Sequence, residues 1–471
     1  MASPGRDAAP TFAGPYRPLS LRIANALGGA LAPNLPRLDV RSLLRASEVP
    51  DARLDSAGDS EFIDRLDALL ADANGAARLT HIGRWIVRAR LGNVIANRLR
   101  ARQWMREHPA TLGIAVDRPL FIVGQPRTGT TLLYGLLAQD PQARAPRLWE
   151  VNAPVPPPLP DGGHDDPRRM RCVRDLARVH KYLPGLAIAH DVHADEPDEC
   201  YPLLETSLLS PTFFLYLDIP SYWMRLKAAS GREVRATYDF FRQQIQILLA
   251  RSEGRRWVSK SPAHLCFLDG LVAAFPDACI VMTHREPLES IPSLCSLAAI
   301  IRSASSDHVD PRHVGDVTLD WFVEAAARAE RARAAIAPDR FLDLTYARLV
   351  ADPIGAVRDI YARFDFPFTR LFERRMNDWL AANAQHRRGV HRYTPEQFGL
   401  DRDRVIAATD ANSRAVYTSG AASSEELRRD IVSLFDNAVL RHRHHLAHRV
   451  VGVGLDNLDF AEPLRLPAID A

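Results

Sequence analysis

The sequence predicts an α/β fold around a central, mostly parallel sheet, and three observations point there. Four short β-rich runs recur along the middle of the chain: "PLFIVGQ" (119–125), "RRWVSK" (255–260), "ACIVMTHR" (278–285) and "RFLDLTY" (340–346). A helical pattern follows each, at 128–138, 263–275, 287–302 and 353–364. Strands alternating with helices pack as parallel strands with helices laid on the sheet. The first run leads straight into a loop rich in Gly and Thr, beyond the carboxyl end of its strand, where open α/β sheets bind ligands.

The bulk numbers narrow the class. A chain of 471 residues has room for one large α/β domain with additions. A hydrophobic content of 46% and a charged content of 25% are those of an ordinary globular protein. The 60 basic and 57 acidic residues leave a formal charge of only +3, too balanced to argue for nucleic acid. Only Lys181, Lys227 and Lys260 are lysines; the other basic residues are arginine. The five cysteines are scattered and contain no CxxC, so neither a zinc site nor a disulfide framework is indicated, and a cytoplasmic setting is expected. The N-terminal residues lack a basic region followed by an apolar core, and no apolar run approaches the ~18 residues of a membrane span.

Along the chain, residues 1–58 are weakly patterned and read as a loosely ordered arm, with "LSLRIANALGGALAP" as a packed surface helix. Phe62, Ile63, Leu66, Leu69 and Leu70 share a helical face from Ser60, and Gly75 is placed to stop it. A second helix is expected from about Leu79 to Glu107, with Arg84, Arg88, Arg90, Arg98, Arg100, Arg102 and Arg106 as a solvated basic face. The stretch 151–170 is a Pro-rich loop. In "HDVHADEPDECYPLL" (190–204) the acids and Pro197 read as the first turn of a helix rather than as metal ligands. His444 and His448 lack a partnering acid or cysteine and read the same way. Phe213, Phe214, Tyr216, Tyr222 and Trp223 read as core. The C-terminal part is helical, notably Glu425 to Arg449. The expected division is an N-terminal arm and helical extension (1–115), an α/β domain (116–400) and a C-terminal helical extension (401–471).

The loop "LFIVGQPRTGTTLL" (120–133) keeps the frame of a P-loop, G-x-x-x-x-G-K-[ST], with Thr130 in the lysine position. Gly124 and Gly129 let backbone N–H groups converge on an anion, and the following helix points its positive end at it. Thr128, Thr130 and Thr131 add hydroxyls, and Arg127 adds a forked, permanent charge. A P-loop lysine bridges the β- and γ-phosphates; its absence argues against γ-phosphoryl transfer and for a nucleotide with a shorter anionic arm. The expected fold is therefore a P-loop-like three-layer α/β fold.

At this point "PRTGTTLL" (126–133) resembles the 5′-phosphosulfate loop of the sulfotransferases that use 3′-phosphoadenosine 5′-phosphosulfate (PAPS), in the bacterial and Golgi-type form P-R-[ST]-G-T-T-L. Further elements between about 116 and 400 are similar to the same family. In "IVMTHREPLESIPSL", Arg285 ends a strand and Ser293 follows eight residues on, the pair that in the family holds the 3′-phosphate. "RWVSKSPAHL" resembles the strand that ends in a lysine, here Lys260. "LDLTYARLVADP" resembles the strand–helix near the adenine, with Tyr346. "QHRRGVHR" resembles the loop that closes over the 3′-phosphate, with Arg387, Arg388 and Gly389.

The resemblance implies transfer of a sulfuryl group from PAPS to a hydroxyl or amine of a small-molecule or glycan acceptor, with no metal. Arg127 and Lys260 would serve the leaving phosphate. Glu150 or His264 would be the base, and an Asp-Glu-Pro run such as 195–197 would lie near the acceptor side. A P-loop-derived kinase or NTPase, or a non-catalytic nucleotide-binding protein, are the alternatives. A homo-oligomer is compatible with the sequence.

Overall fold

The structure, a computed structural model, describes residues 19–30, 36–49, 54, 59–159, 163, 165–183, 186, 192–252, 255–383 and 393–417. Five parallel strands form one sheet: β1 (Leu120–Gly124), β2 (Ala143–Arg144), β3 (Arg256–Lys260), β4 (Cys279–His284) and β5 (Phe341–Thr345), in the order β2-β3-β1-β4-β5. β1 lies in the middle and is buried at every position, which is why it reads as an unbroken apolar run rather than an alternating one. Its side chains divide by parity. Phe121 and Val123 join Phe241, Phe275 and Met282 on one face. Leu120 and Ile122 join Leu133, Leu137, Val281 and Leu344 on the other. The sheet therefore carries a packed layer on each side, the three layers expected.

Register brings the strand ends together. Lys260 pairs with Ile122, Gly124 with Thr283, and His284 with Thr345. Everything that leaves the carboxyl ends of β1, β3 and β4 therefore starts from one rim.

Several elements depart from the sequence reading. The helix Leu19–Ala30 stands where one is expected, but a second, Val40–Ala46, lies in what reads as a loose arm. Val40–Ala46 is capped by Asp39, whose carboxylate accepts from Ser42 N at 2.7 Å. β2 was missed because two residues carry no periodicity. A 3-10 turn, Pro262–Phe267, precedes the helix Leu268–Ala274. The Pro-rich loop ends early: the helix Pro167–Tyr182 begins inside it, capped by Asp166.

The arginines of the helix His81–Glu107 are not a solvated face throughout. Arg98 is 8% exposed, and its Nη2 donates to Asp59 Oδ1 at 2.9 Å, while Arg102 Nη1 reaches the same oxygen at 2.6 Å. Arg90 Nη2 contacts both oxygens of Glu205, at 2.7 and 2.8 Å. Buried carboxylates from other elements recruit these guanidiniums, which a one-helix pattern cannot reveal. It also explains why Asp59, at the N-cap of Ser60–Asn74, makes no side-chain cap.

Residues 192–200 do not begin a helix; the helix there is Tyr201–Glu205. The segment runs instead against 146–149. Pro197 bridges Arg147 in antiparallel fashion, and Leu148 N and Trp149 N donate to Glu196 O and Ala194 O. Among the aromatics, Phe213, Phe214 and Tyr222 are core, as expected. The readings at Arg387–Gly389, His190, Glu425–Arg449, His444 and His448 lie outside the described residues.

Candidate active site

The loop after β1 is held by backbone that only certain residues tolerate. Gly129 is left-handed at φ 85°, and a Cβ there would lie 2.9 Å from Tyr346 Cδ2 and 3.0 Å from Leu349 Cδ2. Arg127 is also left-handed, φ 70°, at a non-glycine cost of about 1–2 kcal/mol. Thr128 fixes the turn: its Oγ1 donates to Gln125 O at 2.7 Å and lies 2.6 Å from Thr283 Oγ1 on β4. The helix Thr130–Leu137 then starts, and the N–H groups of its first turn have no intrahelical acceptor.

β4 and its helix complete one side of this loop. Arg285 Nη1 donates to Arg127 O at 3.0 Å, and Arg127 Nε donates to Ser293 Oγ at 2.9 Å. The Arg285 guanidinium stacks 4.2 Å from the Tyr346 ring centre and also pairs with Glu289 at 2.8 Å. Burial, with Arg285 as a nearby like charge, lowers the Arg127 pKa; Tyr393 and Tyr346 oppose the shift. Two guanidiniums, two loop glycines and a helix N-terminus thus converge, a donor set that fits a multiply charged anion.

β3 completes the other side. Lys260 is 2% exposed, and its Nζ lies 3.5 Å from Thr131 Oγ1 and 2.6 Å from Glu199 Oε1. Glu199 is a residue that sequence reasoning missed. The run 195–199 was read as a helix start, so no single acid stood out; the usable signal was its proximity to the Asp-Glu-Pro run.

The two expected bases are each held by other partners. Glu150 is 4% exposed and accepts from Arg147 N at 2.7 Å, closing a capping box on the helix Leu148–Asn152; it also pairs with Arg144 at 2.9 Å. His264 is fully buried, with Nδ1 2.9 Å from Tyr238 Oη and Nε2 3.3 Å from Cys200 Sγ. Phe121 and Phe241 pack edge-on to its ring. Burial pushes the imidazole down to about 3 and the Cys200 thiol up to about 12. Both groups are therefore neutral near pH 7, so the pair is no thiolate–imidazolium nucleophile. The extra residues Pro262 and Ala263, in the 3-10 turn, carry His264 into the core.

A β-strand, a glycine-bearing turn with no Walker lysine, and an Arg–Ser pair on the neighbouring strand–helix sit on a parallel sheet of the P-loop-like kind. Residues 119–370 match the family model described as "Sulfotransferase family". The chain belongs to the sulfotransferase family and is an enzyme of sulfuryl transfer. It is 26% identical over 297 residues to the omega-hydroxy-beta-dihydromenaquinone-9 sulfotransferase Stf3 of Mycobacterium bovis and of Mycobacterium tuberculosis, covering 60% of this chain and 72% of theirs. Among solved structures, sulfotransferase STF1 of Mycobacterium tuberculosis superposes with a TM-score of 0.71 at 29% identity, covering 79% of this chain and 98% of that one. Sulfotransferase STF9 of Mycobacterium avium gives 0.71 at 25%, covering 80% and 96%. The kinase and binding-protein alternatives are accordingly not favoured. No helix among the described residues is long and apolar enough to cross a membrane.

Proposed function

We propose that the sulfuryl donor is PAPS and that Glu199 is the base that takes the acceptor's proton. The observation that carries this reading is the Lys260–Glu199 pair, 2.6 Å apart and beside Thr131 at the start of the loop helix. It sets a cation for the leaving group and a carboxylate for the acceptor side by side on one rim. Arg127, Thr128, Gly129, Thr130 and Thr131 are the residues to hold the 5′ arm, Arg285 and Ser293 the 3′-phosphate, and Tyr346 the adenine side. Arg387, Arg388 and Gly389 are proposed to close over the 3′-phosphate.

PAPS, when bound, supplies an activated sulfuryl group on a phosphate leaving group. Lys260 and Arg127 balance the charge that grows on the bridging oxygen. The loop's N–H groups and the Arg285–Ser293 pair hold the geometry for in-line attack. Glu199 accepts the proton of the attacking hydroxyl or amine, so that one S–O bond breaks as the bond from sulfur to the acceptor forms. Glu150 and His264 become positioning residues: Glu150 fixes the 147–152 turn, and His264 braces Cys200, whose N–H donates to Lys260 O at 3.0 Å.

The acceptor is proposed to be a small molecule bearing a hydroxyl or amine, presented from the side of Tyr201 and Tyr216. Their hydroxyls lie 2.9 Å apart, and Glu199 acts electrostatically on Tyr216. Five free thiols support a reducing, cytoplasmic setting. The family match inside 116–400 supports that span as the catalytic domain.

The test is sulfate transfer from ³⁵S-labelled PAPS to a metabolite extract, with binding of 3′-phosphoadenosine 5′-phosphate (PAP) measured alongside. Glu199→Gln is expected to lose at least ~100-fold in turnover with PAP affinity retained. Normal turnover in that variant, or stronger stabilisation by ATP–Mg²⁺ than by PAP, overturns the reading.

A further inference from the structure

A cavity of about 400 Å³ opens beside β2, away from the loop just described. Among the described residues, Arg144, Arg147, Arg251 and Arg255 line it, against two carboxylates, Glu150 and Asp195. Both carboxylates are already neutralised. Glu150 is held by Arg144 at 2.9 Å, and Asp195 by Arg169 Nη2 at 2.6 Å. Arg144 is itself engaged, donating also to Ala145 O at 2.9 Å and to Ser252 Oγ at 3.2 Å. Because Ser252 Oγ accepts there, its own proton is left to donate elsewhere. Arg251 and Arg255 are exposed, and their side chains have no hydrogen-bond or ion-pair partner among the described residues. The remaining walls are mostly apolar: Ala138, Ala143, Ala145, Pro158, Leu159 and Pro197, with Gln139 as a neutral polar group.

This place is not part of the proposed PAPS site. Arg255 directly precedes β3, and Arg251 and Ser252 follow the helix Gly231–Leu249, so they lie at the amino end of the strand whose carboxyl end carries Lys260. Arg144 pairs with Trp257 in the sheet register. Lys260 is three residues further along β3, about 10 Å away at the rise of a strand.

We propose that this cavity is a second anion site, which binds a small multivalent anion bearing phosphate or carboxylate groups through Arg147, Arg251, Arg255 and the Ser252 hydroxyl. Planar guanidiniums present forked donors to such groups, and a cavity of about 400 Å³ has room for more than one phosphate group. The carboxylates that would repel it are engaged by other arginines.

The experiment is a calorimetric titration of inorganic pyrophosphate into the full chain with PAP at saturating concentration, so that the loop after β1 is filled. One pyrophosphate per chain is expected. The double variant Arg251→Ala/Arg255→Ala is expected to weaken it at least tenfold while the PAP dissociation constant stays within twofold. A control that removes two exposed arginines from another surface, Arg171→Ala/Arg174→Ala, is expected to leave pyrophosphate binding as in the wild type. Absence of binding, or equal loss in both double variants, overturns the proposal. If PAP itself fails to bind, the reading of the loop falls separately, and the same comparison of variants without PAP still decides this one.

Discussion

The burial of His264 makes a prediction whose size follows from one number. The imidazole is pushed from its ordinary value of 6.5 down to about 3, and its cause is desolvation by the surrounding core. Between those values the unfolded chain binds a proton at this side chain and the folded chain does not. Stability therefore falls as pH drops, with a slope near 1.4 kcal/mol per pH unit, and none of this loss is present above the unfolded pKa. From pH 7.5 to pH 5 the loss from this residue alone is about 2 kcal/mol. Other groups titrate in the same window, so the measurement is a difference. Urea unfolding of the wild type and of His264→Gln is followed at pH 7.5, 6.5, 5.5 and 5. The stability advantage of the wild type is expected to shrink by about 2 kcal/mol over that range. Whatever hydrogen bonds to Tyr238 and Cys200 the substitution loses are lost at every pH and cancel in the slope. The same variant should keep turnover within about threefold at pH 7.5, since a histidine shut in the core takes no proton from an acceptor. Parallel stability curves for the two proteins would refute the burial argument, and loss of turnover in a folded variant would restore His264 as a base.

Three further substitutions probe the loop and the buried charges of the N-terminal helices. Gly129→Ala adds a left-handed cost of about 1–2 kcal/mol and presses its methyl to within 2.9 Å of Tyr346 Cδ2; melting curves should shift down, and calorimetry should show PAP binding weakened about tenfold. Arg285→Lys removes a planar group stacked on Tyr346 and its bond to Arg127 O, so PAP affinity should fall roughly fivefold to tenfold while the melting temperature changes little. Asp59→Ala leaves the buried Arg98 without its carboxylate and should cost about 3–5 kcal/mol in urea unfolding, an effect that a solvated basic face would not produce.

How much of this could be read in the chain depends on the range of the interaction. The four longer strands were legible because each is a short β-rich run followed by a helical pattern, and β1 and β4, buried along nearly their whole length, are apolar for several residues. β2 was illegible because Ala143–Arg144 is a strand only through its pairing with Arg256–Trp257. The loop was legible because a turn that needs Gly at φ 85° and hydroxyls at set positions writes itself locally. The base was not. Glu150 occupies the sequence position expected of a base, but its capping of the turn at Arg147 and its pairing with Arg144 are contacts that a linear spacing does not show. His264 stands close to Lys260 in sequence, yet a 3-10 turn rotates it into the core.

The sequence by itself determined the class of sheet, the glycine-bearing loop after β1, and Arg127, Arg285, Ser293 and Lys260 as the residues of the proposed donor site. These are properties of single strands and turns, set within a few residues. Only the tertiary structure decided which carboxylate faces Lys260, and that some arginines of the helix His81–Glu107 serve buried acids rather than solvent. It also decided that Arg144, Arg147, Arg251 and Arg255 share one cavity. Charges find their partners through space, across 61 residues for Glu199 and Lys260, and no local pattern encodes which pairs will meet.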